Sequence, residues 1–324
     1  MDEIDFGLCM SLVINSRVPY RELAETFNMS VNSIHKRVKS LVDSGILHNF
    51  NTKLSLLNFP NSVNAIMFGN SKVENKEDLL DKLGKHESIF NVTRASGNLY
   101  YIHAYLKDFS RLNTLISFIR QEGEFDDLEI GLDSTPPSPN APITTETDYN
   151  LKSESELFQK EHKYSDLDFL IINSLKNNSR KPVTDIVDEV KITPKTVRRH
   201  LNRMIEKKLL DFSIEWYPDK SAIIMSIIIL KLDPTLQVDK LKIMEEIRKD
   251  HGQTILFTWN LSNLPNLMLV CAWTHSMKEL QDLEASLISK KFNSVNATIL
   301  IKGKMYPSWR DTYLEEKIKD IKAN

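Results

Sequence analysis

The sequence has little cysteine: two residues in 324, Cys9 and Cys271. That count supports neither a disulfide framework nor a cysteine-based metal site, and it suits a reducing compartment. Both stand on apolar faces, so buried free thiols are the expectation and a bridge between them the alternative. Long hydrophobic runs are also missing. The most apolar, AIIMSIIIL at 222–230, is far short of the roughly 20 residues a bilayer-spanning helix needs and reads as a buried strand. The chain opens MDEIDFGL, acidic where a secretory leader is basic, so no leader and no membrane are expected and the protein is placed in the cytoplasm. Eight histidines are scattered with no H-x-x-H or His/Cys pair at ligand spacing, and no Walker-type or G-x-G-x-x-G loop occurs, so neither metal nor cofactor is expected. Nor is there an excess of one charge. With 42 Lys/Arg against 44 Asp/Glu, net −2, any nucleic-acid-binding surface must be a local patch.

What the chain does have is itself, twice. Shifted by 163 positions, residues 5–47 lie over 168–210 without a gap. Asp5/Asp168, Phe6/Phe169, Ser11/Ser174, Leu12/Leu175, Asn15/Asn178, Ser16/Ser179, Arg17/Arg180, Pro19/Pro182 and Leu47/Leu210 are identical. The apolar periodicity coincides as well, at Ile34/Val197, Val38/Leu201, Leu41/Met204 and Val42/Ile205. Such register over a fixed offset is the mark of duplication.

Between the copies, residues 134–163 open with four prolines and have almost no apolar periodicity, which reads as a linker, with a short helix expected around Glu154 to Lys163. Each copy begins with three helices. Ser30 and Thr193 stand at the N-cap of the third, and Pro194 suits its first turn. Gly45 suits the helix exit; Lys208 in the second copy must make that exit under strain or differently. A short β-like stretch, ILHNFNTKL, then fits a wing. The rest of each copy alternates β-α-β-β-α-β, an antiparallel plait with both helices on one face. The expectation is an α+β chain of two winged helix-turn-helix and two ferredoxin-like domains in tandem. Its parts are 1–55, a plait at 60–133, the linker, 164–217, a plait at 221–303, and a C-terminal helical tail at 304–324.

On each third helix, apolar residues gather on one side, and the opposite side carries Asn32, Ser33, Lys36, Lys39 and Ser40, or Lys195, Thr196, Arg199, Asn202 and Arg203. A lone helix of this kind reads as a solvated face. Here it follows a short helix and a three-residue turn, the arrangement whose second helix enters the DNA major groove. Arg and Lys suit guanine edges and phosphates, Asn suits adenine, and Ser and Thr permit close approach. Residues 191–208 hold seven Lys/Arg against one Glu, whereas 28–45 hold three against one Asp.

The Asp5/Asp168 start, the Ser16-Arg17 and Ser179-Arg180 breaks, and SIHKRVKSLVDSGIL together resemble the Lrp/AsnC transcription regulators. The resemblance implies a DNA-binding regulator, not an enzyme, whose partners are double-stranded DNA and a small-molecule effector. It also implies plaits that associate, here as an intramolecular pseudo-dimer or a homodimer. The effector turn of the family maps to Gly97 and Asn98. The sequence departs from the family there: tyrosines follow where an acid is usual, and the second copy, NLSNLPNLMLV, lacks the glycine. Gly97-Asn98 also reads as a plain hairpin turn. Two alternatives stay open: a siroheme-decarboxylase-like enzyme on the same architecture, and a protein-interaction module with degenerate winged helices. Trp216, Trp259, Trp273 and Trp309 fall together in the second copy and are expected in its core or at an interface.

Overall fold

The computed structural model describes residues 1–133 and 163–323, apart from 222, 236–238 and 289–291. The expected linker, with its helix, lies outside the described residues except for Lys163. The described chain divides into two units, one of residues 1–60, 163–217 and 307–323, the other of 61–133 and 218–306.

In the first unit, a capping box at Asp2 starts α1 (Glu3–Ile14), whose Leu8 and Leu12 face inward. Helices α2 (Tyr20–Thr26) and α3 (Val31–Asp43) and strand β1 (Leu47–Leu54) follow. The second copy repeats the series. Ser165 supplies the capping box of α6 (Asp166–Leu175), followed by α7 (Val183–Val190), α8 (Pro194–Glu206) and β6 (Leu210–Trp216).

The wing-like stretch is strand β1, but it forms no hairpin within its own copy. It pairs antiparallel with β6, from Leu47↔Trp216 to Leu54↔Leu210. Each copy offers a single strand, whose free N–H and C=O groups need a partner, and the duplicate supplies it. The cores interlock accordingly. Ile214 of β6 completes the cluster of Leu8, Leu12, Leu23, Ile34 and Val38. Leu54 of β1 completes that of Phe169, Ile172, Ile186, Val197 and Leu201.

At the centre, the buried hydroxyls of Ser16 and Ser179 are 2.6 Å apart. Arg17 donates to the carbonyl of Ser179. In return Arg180 donates to those of Ser16 (2.7 Å) and Val18 (2.9 Å), with its guanidinium 4.0 Å from the ring centroid of Tyr20. The expected tail is only partly a tail. A strand of the other unit takes its first residues as far as Met305, and α11 (Trp309–Ala323) packs Leu314 and Ile318 into the second copy's core.

The second unit holds both plaits. The first runs β2 (Val63–Asn70), α4 (Lys76–Leu83), β3 (Ile89–Ala95), β4 (Leu99–Leu106), α5 (Leu112–Gly123), β5 (Glu129–Asp133). The second runs β7 (Ile224–Leu232), α9 (Lys240–His251), β8 (Ile255–Asn260), β9 (Leu267–Thr274), α10 (Met277–Ile288), β10 (Phe292–Met305). All the strands join one antiparallel sheet in the order β5-β2-β4-β3-β10-β7-β9-β8. The long β10 makes this possible: its first half pairs with β7 and its last residues, from Leu300↔Ala95 to Met305↔Asn91, with β3.

Strand alternation sorts the side chains. Met67, Tyr100 and Ile102 pack with Leu79 and Leu115 of the helices, while Ile66, Phe68, Tyr101, Ile227 and Leu269 build an apolar layer common to both plaits. The four tryptophans do not gather. Trp259 packs against that layer and Trp273 is buried on β9, whereas Trp216 and Trp309 belong to the first unit.

Candidate nucleic-acid interface

Helices α3 and α8 are built alike. The Ser30 hydroxyl accepts from the Ser33 N–H at 3.1 Å, and Thr193 from that of Thr196 at 3.3 Å, each satisfying one of the free donors of a first turn. Ile34, Val38 and Leu41 are buried under α3, and Val197, Leu201 and Met204 under α8. The chain leaves α3 through Gly45 at φ 71° and α8 through Lys208 at φ 48°. The second exit therefore carries left-handed strain that glycine avoids.

Of the residues expected to meet DNA, Asn32, Lys36, Lys39, Ser40, Lys195, Arg199 and Asn202 are exposed. Ser33 and Thr196 are half-buried, their hydroxyls bonded to the capping hydroxyls at 2.8 and 2.9 Å. Residues 32, 36 and 39, and likewise 195, 199 and 202, are spaced i, i+4, i+7 and form one outward stripe on each helix.

Arg203 is different. Its guanidinium is paired with Asp168, which is fully buried and also accepts from His200 Nδ1 at 2.8 Å. Burial pushes the Asp168 carboxyl up, but hydrogen bonds from Arg203, the Ser165 backbone, His200 and the Ser165 hydroxyl outweigh it and hold the group below the usual carboxylate range. In the first copy, Arg37 does the corresponding work, reaching Asp5 at 2.6 Å and Asp2 at 2.8 Å. The repeated aspartate thus anchors the third helix to the first. Reading the helix face alone missed Arg37 and His200 as anchors; the Asp5/Asp168 identity was the available signal. It also passed over Arg198, which is exposed beside the α8 stripe.

Gly97 (φ 69°) and Asn98 (φ 61°) are consecutive left-handed residues between β3 and β4. A tight hairpin accounts for both. Cys9 and Cys271 are buried free thiols in different units, each pushed up to about 12 by burial. Among the described residues, no helix is long and apolar enough to cross a membrane, and no three His, Cys, Asp or Glu are placed to hold a metal ion.

A family model described as winged helix-turn-helix DNA-binding matches residues 1–47 and again 164–210. An uncharacterised HTH-type transcriptional regulator of Pyrococcus abyssi (strain GE5 / Orsay) is 31% identical over 96 residues, covering 29% of this chain and 65% of that protein. HTH-type transcriptional regulator LrpB of Bacillus subtilis (strain 168) is 26% identical over 102 residues, 32% of this chain and 68% of its own. The chain therefore spans just under two thirds of the length of the first of these curated relatives. The crystal structure of the siroheme decarboxylase NirDL superposes with a TM-score of 0.56 at 10% identity, over 99% of this chain and 100% of that one. That likeness is one of fold.

Proposed function

We propose that this chain, whose two copies are of the Lrp/AsnC type, is a sequence-specific DNA-binding transcriptional regulator that reads double-stranded DNA with α3 and α8. The observation that carries this reading is the pair of capped helix-turn-helix segments, each turning a basic and amide-bearing stripe outward from one unit. Phosphate contacts by Lys and Arg supply most of the affinity, and the two stripes supply the sequence choice. The paired strands β1–β6 and β3–β10 support an assembly in which one chain acts as a pseudo-dimer, with no second copy needed to present two reading helices. The regulator works in the cytoplasm and performs no chemistry on its ligands. A small-molecule effector remains part of the reading through family likeness; the hairpin geometry of Gly97 and Asn98 adds nothing to it. Mapping the DNA bound by the chain across its genome tests the proposal. Recurrent sites sharing a sequence are expected, and a random distribution would remove the specific-regulator reading.

The full-length fold likeness to a siroheme decarboxylase favours a second reading, chemistry on that macrocycle. His103 of β4 is a poor acid or base for it: burial lowers its pKa to about 4, and its ring packs against Phe90 and Trp259. An absorbance titration with siroheme separates the two. A spectral shift with turnover would establish the enzyme, and an unchanged spectrum with DNA bound would dispose of it.

A further inference from the structure

The two reading helices belong to one compact unit, and their surfaces are not copies of each other. Reciprocal bonds of Arg17 and Arg180 across the Ser16–Ser179 contact, the β1–β6 ribbon and the exchanged core residues all tie α3 to α8 within the first unit. A symmetric homodimer presents the same stripe twice and so matches a palindrome. In this chain the exposed stripes read Asn32-Lys36-Lys39 on α3 and Lys195-Arg199-Asn202 on α8. The middle position is cationic in both. At the outer positions the amide and the cation trade places: Asn32 aligns with Lys195, and Lys39 with Asn202.

Asn pairs in bidentate fashion with the N6/N7 edge of adenine, and Lys or Arg with O6/N7 of guanine. We infer that one chain reads one composite DNA site of two unequal half-sites, always in the same orientation. The half-sites share a guanine facing Lys36 and Arg199. On either side of it their preferences are exchanged: adenine then guanine along α3, guanine then adenine along α8. The second half-site also takes the larger share of phosphate contacts, because seven Lys/Arg fall in 191–208 against three in 28–45. This inference rests on the DNA-reading proposal above and adds a polarity to it.

Selection of tight binders from a random double-stranded DNA pool by the full-length chain tests it. The expected motif has two half-sites about 10 bp apart, or a multiple of that, differing at the two outer positions. Changing either outer base pair of one half-site to its counterpart in the other should weaken binding about tenfold, and changing both makes the site palindromic. The triple variant Asn32→Lys, Lys36→Arg, Lys39→Asn gives α3 the stripe of α8, and it touches only exposed side chains. Its selected motif should become palindromic. A palindromic motif from the unaltered chain, or a motif that the triple variant leaves unchanged, overturns the inference while leaving DNA reading intact. A chain that melts cooperatively yet enriches no sequence overturns the DNA reading itself.

Discussion

On the proposed DNA-reading function, two arginines on α8, four residues apart, do different work, and single substitutions separate them. Arg199 is exposed on the outward stripe, where loss of a bidentate base contact costs roughly 1–3 kcal/mol. Arg199→Ala is expected to weaken specific DNA binding by about tenfold or more, and the aligned Lys36→Ala to weaken it less. Both should keep the native melting temperature, and equal losses would show that local charge does not rank the two helices. Arg203→Ala is expected to lower the melting temperature instead, by the equivalent of ~1–3 kcal/mol, because it withdraws a charged donor from the buried Asp168. The pH dependence follows from the direction of the Asp168 shift. Its native pKa lies below the ordinary 3.8, so its contribution is complete above that value and is lost as pH falls through the lower native one. The stability gap between the native chain and Asp168→Asn should therefore close as pH falls below 4. A gap that stayed open there would mean that the carboxylate is not what anchors the helix.

At the scale of single elements, the helix exits offer an internal control, because aligned positions solve one problem with different residues. Gly45 takes φ 71° freely, while Lys208 takes φ 48° against the Cβ clash of the left-handed region, worth ~1–2 kcal/mol. Lys208→Gly is expected to stabilise the chain by ~1 kcal/mol after glycine's larger unfolded-state entropy is subtracted. Gly45→Lys should destabilise it by a similar amount. Denaturant unfolding checks both, and a loss on Lys208→Gly would contradict the strain argument. The need for this conformation was legible in the sequence, since the gapless repeat put Lys208 on a glycine. So was the β-α-β-β-α-β order of both plaits, which the alternation of strand and helix patterns set out and the structure keeps. The partner of β1 was not. ILHNFNTKL carries the pattern of a strand but no information on what lies beside it, and its mate is a segment 163 positions away. Ser16-Arg17 and Ser179-Arg180 read only as the break after a first helix; that the identical pairs grip one another required the fold.

At the scale of the whole molecule, duplication changes what holds the two copies together. A strand of each copy completes a sheet of the other in both units: β1 with β6, and β3 with β10. Core clusters follow the same rule, with Ile214 and Leu54 exchanged in one unit, and Ile66, Phe68 and Tyr101 sharing a layer with Ile227 and Leu269 in the other. Pulling the copies apart would expose large apolar side chains worth ~1.5–3 kcal/mol each, together with two rows of unpaired backbone groups. An intact chain between the copies is then not what joins them. Cleavage at a protease site placed near residue 150 should leave two fragments that co-elute as one species in size-exclusion chromatography. They should melt together, with a midpoint that becomes concentration-dependent because association is no longer intramolecular. Weakening one seam tests the same point from the other side. Arg180→Ala removes two charge-assisted hydrogen bonds and the contact with Tyr20, a loss of ~2–3 kcal/mol. In the cleaved protein it should raise the concentration needed to hold the pair by about thirtyfold or more, since each ~1.4 kcal/mol is a factor of ten. Two stable fragments that elute separately at micromolar concentration would show that the exchanged strands are incidental, and that each copy is a domain pair able to stand alone.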